Sequence, residues 1–520
     1  MSLPIIWSVA GSDSGAGAGV QADLKAFEAF DVHGCTVISA LTAQNSTAVQ
    51  SIEPVSPAMF EAQLAALAED LPPRVIKTGL LGSAEHIDTL VHWLDRLREH
   101  QPVALVVDPV WRASTGSTLS GEPLREALLG RLLPRATVVT PNRAEAAWLL
   151  AGEPLLRHGD VASAAAALRA LGPEAVVVTG GDAGGALALD WLDTPQARGW
   201  LSGPRLDTPH HHGTGCVFAA SMAAALALGF CSADAAVLGK MSTTEALRLS
   251  YPAGQGAGPV RPRRGFALRP GALPGLHAGE PDEVRSFAPL LERQLGLYAV
   301  VDSGAWVERV LRAGVRAVQL RIKDATAAAL SREIGRAVAA ARAAGAQLFI
   351  NDHWQLAIEH GAYGVHLGQE DLQAHGEEAL RRLREAGLRL GLSTHSYWEV
   401  CRARALAPSY IACGPIHATV TKDMPWWPQG PGNLAYWCQV LDQPVVAIAG
   451  MDEPRSLEAI RCGAAGVAVL RGITHAADPE AAIARLQQAI AAGGAAEALP
   501  APALPRSTLP GPVSGVAAAS

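Results

Sequence analysis

With 520 residues, 49% of them hydrophobic and 18% charged, the chain is too long for one ordinary domain and far from a disordered composition. Its formal net charge of −7 excludes a general attraction to nucleic acid or acidic membrane, so an anionic substrate has to be met by local basic groups. Seven scattered cysteines without a Cys-x-x-Cys pair argue against a disulfide framework and a zinc site, and fit a reducing cytoplasm.

The chain enters at once into a strand pattern, Ile5 to Ala10, with no basic leader, so no secretory signal is expected. Further strand patterns at Val75 to Thr78, Ala104 to Asp108, Thr137 to Thr140 and Ala175 to Thr179 alternate with amphipathic stretches, which predicts an α/β fold with a largely parallel sheet. Gly11 to Gly19 follows the first strand and leads into a helix carrying Val20, Leu24 and Phe27 on one face. A phosphate cradle is its obvious reading, but the spacing is neither a P-loop nor a dinucleotide fingerprint. At Thr140-Pro-Asn-Arg-Ala-Glu145, Asn142 and Glu145 suit magnesium phosphate or, equally, the cap of the next helix. His210-His-His-Gly-Thr-Gly-Cys216 opens a small-residue helix, Val217 to Leu228, and aims the amides of Gly213, Thr214 and Gly215 at an anion. Cys216 stands at the lip of that anion hole, where a helix N-terminus lowers a thiol pKa; a buried structural cysteine is the alternative. Adjacent histidines cannot share one face, so the triple histidine predicts a solvated loop with one useful member, His212. The apolar run from Ala219 to Phe230 is too short to span a bilayer and reads as a buried helix.

Ala10-Gly-Ser-Asp-Ser-Gly, Gly17-Ala-Gly-Val-Gln-Ala-Asp-Leu-Lys25, Ala40-Leu-Thr-Ala-Gln-Asn45, Lys77-Thr-Gly-Leu-Leu-Gly82, Val107-Asp-Pro-Val110, Thr140-Pro-Asn-x-x-Glu145 and His212-Gly-Thr-Gly-Cys216 occur in this order over nearly all of residues 1–250. Together they resemble the hydroxymethylpyrimidine/phosphomethylpyrimidine kinases of the ribokinase superfamily. The resemblance implies that Gln44 and Asp23 hold the aminopyrimidine and that Cys216 occupies the catalytic-base position. It further implies that Asp108, Asn142 and Glu145, with the Gly213 to Gly215 amides, serve magnesium ATP. This chain departs from the family in having Thr179 where Lys-Gly-Gly is frequent and Leu80 where Met is frequent. A homo-oligomer through this half is compatible with the resemblance.

From Pro252 to about Pro289 the sequence is Gly, Pro and Ala-rich without periodicity, which predicts a flexible linker over 252–289 whose Arg261-Pro-Arg-Arg264 cluster is solvated. This bounds a first domain at 1–251 and a second at 290–492. The second half carries eight apolar strand patterns: Leu297 to Val301, Val318 to Leu320, Leu348 to Ile350, Gly364 to Leu367, Leu390 to Leu392, Tyr410 to Ala412, Val445 to Ala449 and Gly466 to Leu470. Alternating with helical patterns, they predict a TIM barrel, whose strand carboxyl ends face one pocket. Asn351-Asp352 and Gly368-Gln-Glu-Asp371 end neighbouring strands. Two such carboxylates suit a magnesium ion that also takes substrate phosphate and water, although Asp352 as a helix cap and Asp371 as a turn residue remains open. Arg321, Lys323 and Lys422 bring positive charge to the same rim. After about Ala492 the Ala/Pro/Gly-rich sequence predicts a disordered tail, 493–520.

Gln319-Leu-Arg-Ile-Lys323, Asn351-Asp352, His366-Leu-Gly-Gln-Glu-Asp371, Ser393-Thr-His395, Gly414-Pro-Ile416 and Thr419-Val-Thr-Lys422 are similar to the motifs of thiamine-phosphate synthase. On that resemblance Asp352 and Asp371 bind magnesium, and Gln319, Leu320, Arg321, Ile322, Lys323, Asn351, Ser393 and Lys422 bind a hydroxymethylpyrimidine diphosphate. Thr419, Val420, Thr421, Gly450, Leu470 and Arg471 hold a thiazole phosphate, with Arg471 in a turn that more usually reads Val-Ser. The two halves then make one pathway: ATP-dependent phosphorylation of the pyrimidine, and joining of the diphosphate to the thiazole. The rival expectation pairs a pyridoxal-type kinase with a non-catalytic thiazole-phosphate binder or tautomerase.

Overall fold

The computed structural model describes residues 3–111, 121–155, 157–181, 184–281, 285–419 and 425–513. It divides into two compact units, one formed by residues up to 281 together with those from 509 onward, the other by residues 282–508.

The first unit is built on ten strands: β1 (Ile5–Asp13), β2 (His33–Gln44), β3 (Val49–Pro54), β4 (Val75–Thr78), β5 (Ala104–Val107), β6 (Val138–Val139), β7 (Ala175–Val178), β8 (Leu187–Asp193), β9 (Arg198–Pro204) and β10 (Gly275–His277). Their order is β10-β9-β8-β7-β6-β5-β4-β1-β2-β3, parallel from β7 to β2 and antiparallel at both margins. Alternation sorts the side chains. Trp7 and Val9 of β1, Ile76 of β4 and Leu105 and Val107 of β5 join one core with Phe60, Leu64, Ile87, Leu90 and Leu94 from the helices Pro57–Asp70 and Ala84–Arg98. Ser8, Lys77 and Asp108, one position along, turn to the other face, where the helices Gly19–Ala29 and Thr214–Ala227 pack. The helix Thr214–Ala227 is buried along nearly its whole length because Ser232–Arg248 covers its outer side, which explains why its sequence is apolar all round. Helices on both faces give the expected α/β sandwich.

The second unit is a closed barrel of eight parallel strands: β11 (Gly296–Val301), β12 (Ala317–Leu320), β13 (Gln347–Asn351), β14 (Gly364–Leu367), β15 (Arg389–Thr394), β16 (Tyr410–Cys413), β17 (Val445–Ile448) and β18 (Gly466–Val469). Each expected strand is present, displaced by at most two residues at either end. Among the described residues no helix is long and apolar enough to cross a membrane.

Two expectations are corrected. The segment 252–289 is not a free linker. Val260 N donates to His212 O, Arg261 N donates to Ala246 O, Phe266 packs on Phe30 with ring centroids 4.7 Å apart, and Gly275–His277 supplies β10. Its last residues belong to the barrel, Phe287 N donating to Ala407 O. The tail is ordered as far as it is described. The last helix runs Pro479–Ala495, and beyond it the Asn433 side chain brackets the Arg506 backbone with bonds of 2.9 Å in both directions. Arg506 Nη2 also donates to Pro428 O at 2.6 Å. Both segments are held by backbone hydrogen bonds and isolated side chains, which leave no hydrophobic period in the sequence.

Candidate active sites

In the first unit a cavity of about 460 Å³ opens where β1, β4 and β5 end beside the first turn of Thr214–Ala227. Gln44, Asp108, Asn142, Glu145, Gly213, Thr214, Gly215 and Cys216 all line it, as does Thr179. Gly213 caps the helix at φ 84°, and a Cβ there would lie 1.9 Å from Gly17 O, so only glycine lets the two loops meet. The amides of Gly215 and Cys216, in the first helical turn, have no intrahelical acceptor. Under them lies a buried charge cluster. Lys77 Nζ is 2.9 Å from Asp23 Oδ1 and 3.6 Å from Asp108 Oδ2, and its ammonium stays charged: burial alone would lower its pKa, but Asp23, Cys216 and Asp108 together raise it. Burial pushes the Asp108 carboxyl up to about 6 against the pull of Lys77, and the Cys216 thiol bonds to it.

Four expectations change here. Asp23 does not line the cavity; fully buried, it accepts from Lys77 and from Ser8 Oγ at 2.6 Å, and so holds Lys77 rather than substrate. The expected low thiol pKa is reversed, because burial pushes Cys216 up to about 12, outweighing the Lys77 charge even though the residue is part-exposed. The Gly11 to Gly19 loop does not offer its amides outward: Gly15, Gly17 and Ala18 N donate to the Asp13 carboxylate at 2.8, 3.0 and 2.8 Å. His212 Nε2 lies 3.0 Å from the same carboxylate and 3.4 Å from Gln44 Nε2, as expected of the useful member; but His211 also lines the cavity and His210 Nδ1 accepts from Gly258 N at 3.1 Å, so the other two are not simply solvated. Asn142 and Glu145 do form a reciprocal capping box, each backbone N–H donating to the other's side chain at 2.8 Å, at the cavity wall.

In the barrel a cavity of about 560 Å³ lies at the carboxyl ends of the strands. Alternation points Gln319, Arg321 and Lys323 into it, whereas Leu320 is buried outside it and Ile322 does not line it, which corrects both expected contacts. Asn351, Asp352, Asp371, Ser393, Thr419, Gly450, Leu470 and Arg471 line it as expected. Val420, Thr421 and Lys422 lie outside the described residues. Asp352 sits at φ 64°, a left-handed conformation costly for a residue with a Cβ, and such strain gathers at functional sites. Its Oδ2 accepts from Lys323 Nζ at 2.7 Å. The Asp352 and Asp371 carboxyls are neighbours, and each acts on the other's titration. Burial and the Asp352 charge raise Asp371. Asp352 is lowered because the Lys323 bond and charge outweigh its own burial. Asp371 Oδ2 also accepts from Gly368 N at 3.0 Å, so it caps the helix Gln369–Glu385 while facing Asp352.

The comparisons with known proteins follow this division. A family model for phosphomethylpyrimidine kinase matches residues 13–261, and one for thiamine monophosphate synthase matches residues 297–473. A chloroplastic thiamine biosynthetic bifunctional enzyme of Arabidopsis thaliana is 34% identical over 462 residues, covering 86% of this chain and 85% of that protein. The chain belongs to the family of bifunctional thiamine biosynthetic enzymes. The synthase half alone is 50% identical to a thiamine-phosphate synthase of Serratia proteamaculans over 203 residues, 39% of this chain and 94% of that one. A pyridoxal kinase of Staphylococcus aureus, solved with ADP, is 32% identical over 50% of this chain and 93% of that chain, with a TM-score of 0.47.

Several groups in the kinase and synthase cavities were not singled out by sequence reasoning. Lys77 had a signal, a lone charge inside the apolar Val75-Ile-Lys-Thr78, and a buried charge demands a partner. Asp13 had none, since a carboxylate beside glycines is common in loops. At the synthase cavity His395 Nδ1 is 2.7 Å from Glu399 Oε2, four residues on, and its ring stacks on Trp426 at 4.0 Å, a partner that no local pattern connects to it.

Proposed function

We propose that the kinase half phosphorylates 4-amino-5-hydroxymethyl-2-methylpyrimidine and its monophosphate with ATP, and that the synthase half joins the resulting diphosphate to a thiazole phosphate carboxylate. Thiamine phosphate, diphosphate and carbon dioxide are the products. The observation that carries the reading is the Asp352–Asp371 pair on neighbouring strand ends, with Lys323 on one carboxylate and Arg321, Asn351 and Ser393 in the same cavity. It weighs against a non-catalytic barrel.

In the kinase half, the substrate hydroxyl oxygen attacks the terminal phosphorus of ATP and the bond to the leaving ADP breaks. The first-turn amides at Gly215 and Cys216, with Lys77 beneath them, face the charge of the transferring group. A thiol held protonated takes up the substrate proton only by passing its own onward, and Asp108, bonded to Cys216 and mostly ionised at neutral pH, is the acceptor at hand.

In the synthase half, two adjoining carboxyls repel until a cation separates them, so Asp352 and Asp371 fit a divalent ion with open positions. Among the described residues no group of three or more His, Cys, Asp or Glu offers a closed site. Asp352 and Asp371 would hold magnesium there, which would supply positive charge to a diphosphate leaving group. Arg321 and Lys323 add to that charge from the chain itself. The carbon–oxygen bond to diphosphate breaks with its electron pair on the leaving group, the amino-substituted ring supports the methylene cation, and the thiazole nitrogen supplies the pair for the new bond; the bond from the thiazole ring to its carboxylate then breaks, carbon dioxide leaves, and the electron pair left on the ring carbon takes a proton.

The test is to supply the pure chain with pyrimidine alcohol, thiazole phosphate carboxylate, ATP and magnesium and to look for thiamine phosphate. Asp352→Asn and Asp371→Asn should each slow joining by roughly a hundredfold, about 3 kcal/mol of transition-state stabilisation, with partial relief at raised magnesium and no change in the kinase. Joining at the parental rate by both variants at every magnesium concentration would overturn the assignment in favour of a barrel that only binds.

A further inference from the structure

Behind the synthase cavity a hydrogen-bond chain crosses the barrel interior. Gln319 Nε2 donates to Tyr298 Oη at 3.4 Å, Tyr298 Oη lies 2.8 Å from Tyr410 Oη, and Tyr410 Oη lies 2.7 Å from His366 Nδ1. His366 Nε2 lies 2.9 Å from Ser393 Oγ. Only the two ends, Gln319 and Ser393, and the His366 ring line the cavity; both tyrosines are buried behind it at 0–1% exposure. The chain is built into the backbone. Gly391 pairs with His366 across β14 and β15, and a Cβ on it would lie 2.4 Å from Tyr410 Oη, so a glycine leaves the room in which the phenol reaches the imidazole.

The order of protons along this chain follows from counting. Each tyrosine hydroxyl has one proton and is buried among protein atoms. With the Gln319 amide donating at one end, Tyr298 must donate to Tyr410, since the opposite order leaves the Tyr298 proton without an acceptor. Tyr410 then donates to His366 Nδ1, which places the imidazole proton on Nε2, directed at Ser393 Oγ. The Ser393 proton is left over and turns to the cavity, and at the other end the Gln319 carbonyl oxygen is left over as an acceptor.

We infer that Tyr298, Tyr410 and His366 are positioning residues of the synthase, forming a one-way wire that fixes Ser393 as a donor and the Gln319 carbonyl as an acceptor toward the substrate. This rests on the reading of the cavity as an aminopyrimidine diphosphate site. An aminopyrimidine offers an exocyclic N–H donor together with ring-nitrogen and phosphate acceptors, which a fixed acceptor and a fixed donor complement. A 4-oxo pyrimidine presents an acceptor where the amino group donates and meets the wire with the wrong polarity.

The experiment uses the full chain and Tyr410→Phe, which keeps the ring and deletes the middle link. Joining should fall roughly tenfold in kcat/KM, the worth of one hydrogen bond. Because part of the wire's effect passes through Ser393 and the rest through Gln319, adding Tyr410→Phe to Ser393→Ala should cost clearly less than it costs the parent; fully multiplied losses would overturn the proposal. Nitrogen-15 spectra, with His366→Gln to assign the signals, should show the Nε2–H tautomer in the parent and a mixture in Tyr410→Phe. A parental Nδ1–H tautomer would equally overturn it. If Tyr410→Phe does not fold, Tyr298→Phe frees the Gln319 end while Tyr410 still donates to His366, so it should lower kcat/KM with the Nε2–H tautomer kept; an Nδ1–H tautomer there would overturn the proposal. A parent that makes no thiamine phosphate refutes the proposed function instead, while the tautomer measurement still decides the wire.

Discussion

At the scale of single residues, burial overrides the chemistry that a local motif suggests. Cys216 sits where a helix N-terminus favours a thiolate, yet its thiol is held protonated up to about pH 12. Alkylation of Cys216 by iodoacetamide should therefore be slow at neutral pH and rise about tenfold per pH unit without levelling below pH 10; a plateau near pH 8 would show an activated thiolate. Cys216→Ala should cripple the kinase and spare joining of supplied pyrimidine diphosphate, because Cys216 lines the kinase cavity; unchanged kinase turnover would remove Cys216 from the reaction. The Lys77–Asp23 pair beneath it is 0% exposed on both sides. Asp23→Asn leaves a buried ammonium short of a counter-charge and should cost about 3–5 kcal/mol in denaturant unfolding of the kinase half. Lys77→Met with Asp23→Leu should recover much of that stability but not the kinase, since Lys77 also lines the cavity.

At the scale of elements, the segment after residue 495 shows how little regular structure is needed to hold a chain in place. Leu499 N donates to Arg461 O, Trp427 N donates to Thr508 O, and Arg506 reaches two carbonyls, Pro428 and Gln429 O. The strapped segment, 427–433, directly follows Trp426, which stacks on His395 at the synthase cavity. Arg506→Ala should cost roughly 1.5–3 kcal/mol, the range for hydrogen bonds from a charged donor, and raise the KM of the joining reaction with the kinase unaltered. Thermal unfolding and steady-state kinetics measure both; parental values in each would make the strap mere packing.

At the scale of the whole molecule, the described residues that line each cavity belong to its own unit, and each unit has its own core. Separately expressed fragment 282–508 should then join within a fewfold of the full chain, and fragment 1–281 should phosphorylate, with some loss of stability because it lacks the residues from 509 onward that belong to the first unit. An insoluble or inactive fragment would show that one half needs the other. The cut belongs at 281, because a cut at 251 removes β10 and the Val260 bond to His212 from the kinase half.

The eight βα units and the carboxylates on adjacent barrel strands were legible in the sequence because strand alternation and barrel topology fix which side chains reach the rim: Gln319, Arg321 and Lys323 follow from period two alone. The same rule, applied strictly, would have removed Leu320. The α/β sandwich was legible in β1 and β4 to β7, whose apolar runs are buried; the parallel strand β2, part-exposed along its length, and the antiparallel margins β3 and β8 to β10 were not, since half-exposed or three-residue strands carry no such run. Tertiary structure alone decided the rest. Which partner a charge finds, Asp23 with Lys77 rather than with substrate, depends on packing between residues 54 positions apart. The direction of a pKa shift at Cys216 depends on how much protein surrounds the thiol, and the wire from Gln319 to Ser393 passes through five strands that only barrel closure brings together. Desolvation and long-range hydrogen bonding are properties of three-dimensional neighbours, and a linear sequence records the groups without their distances.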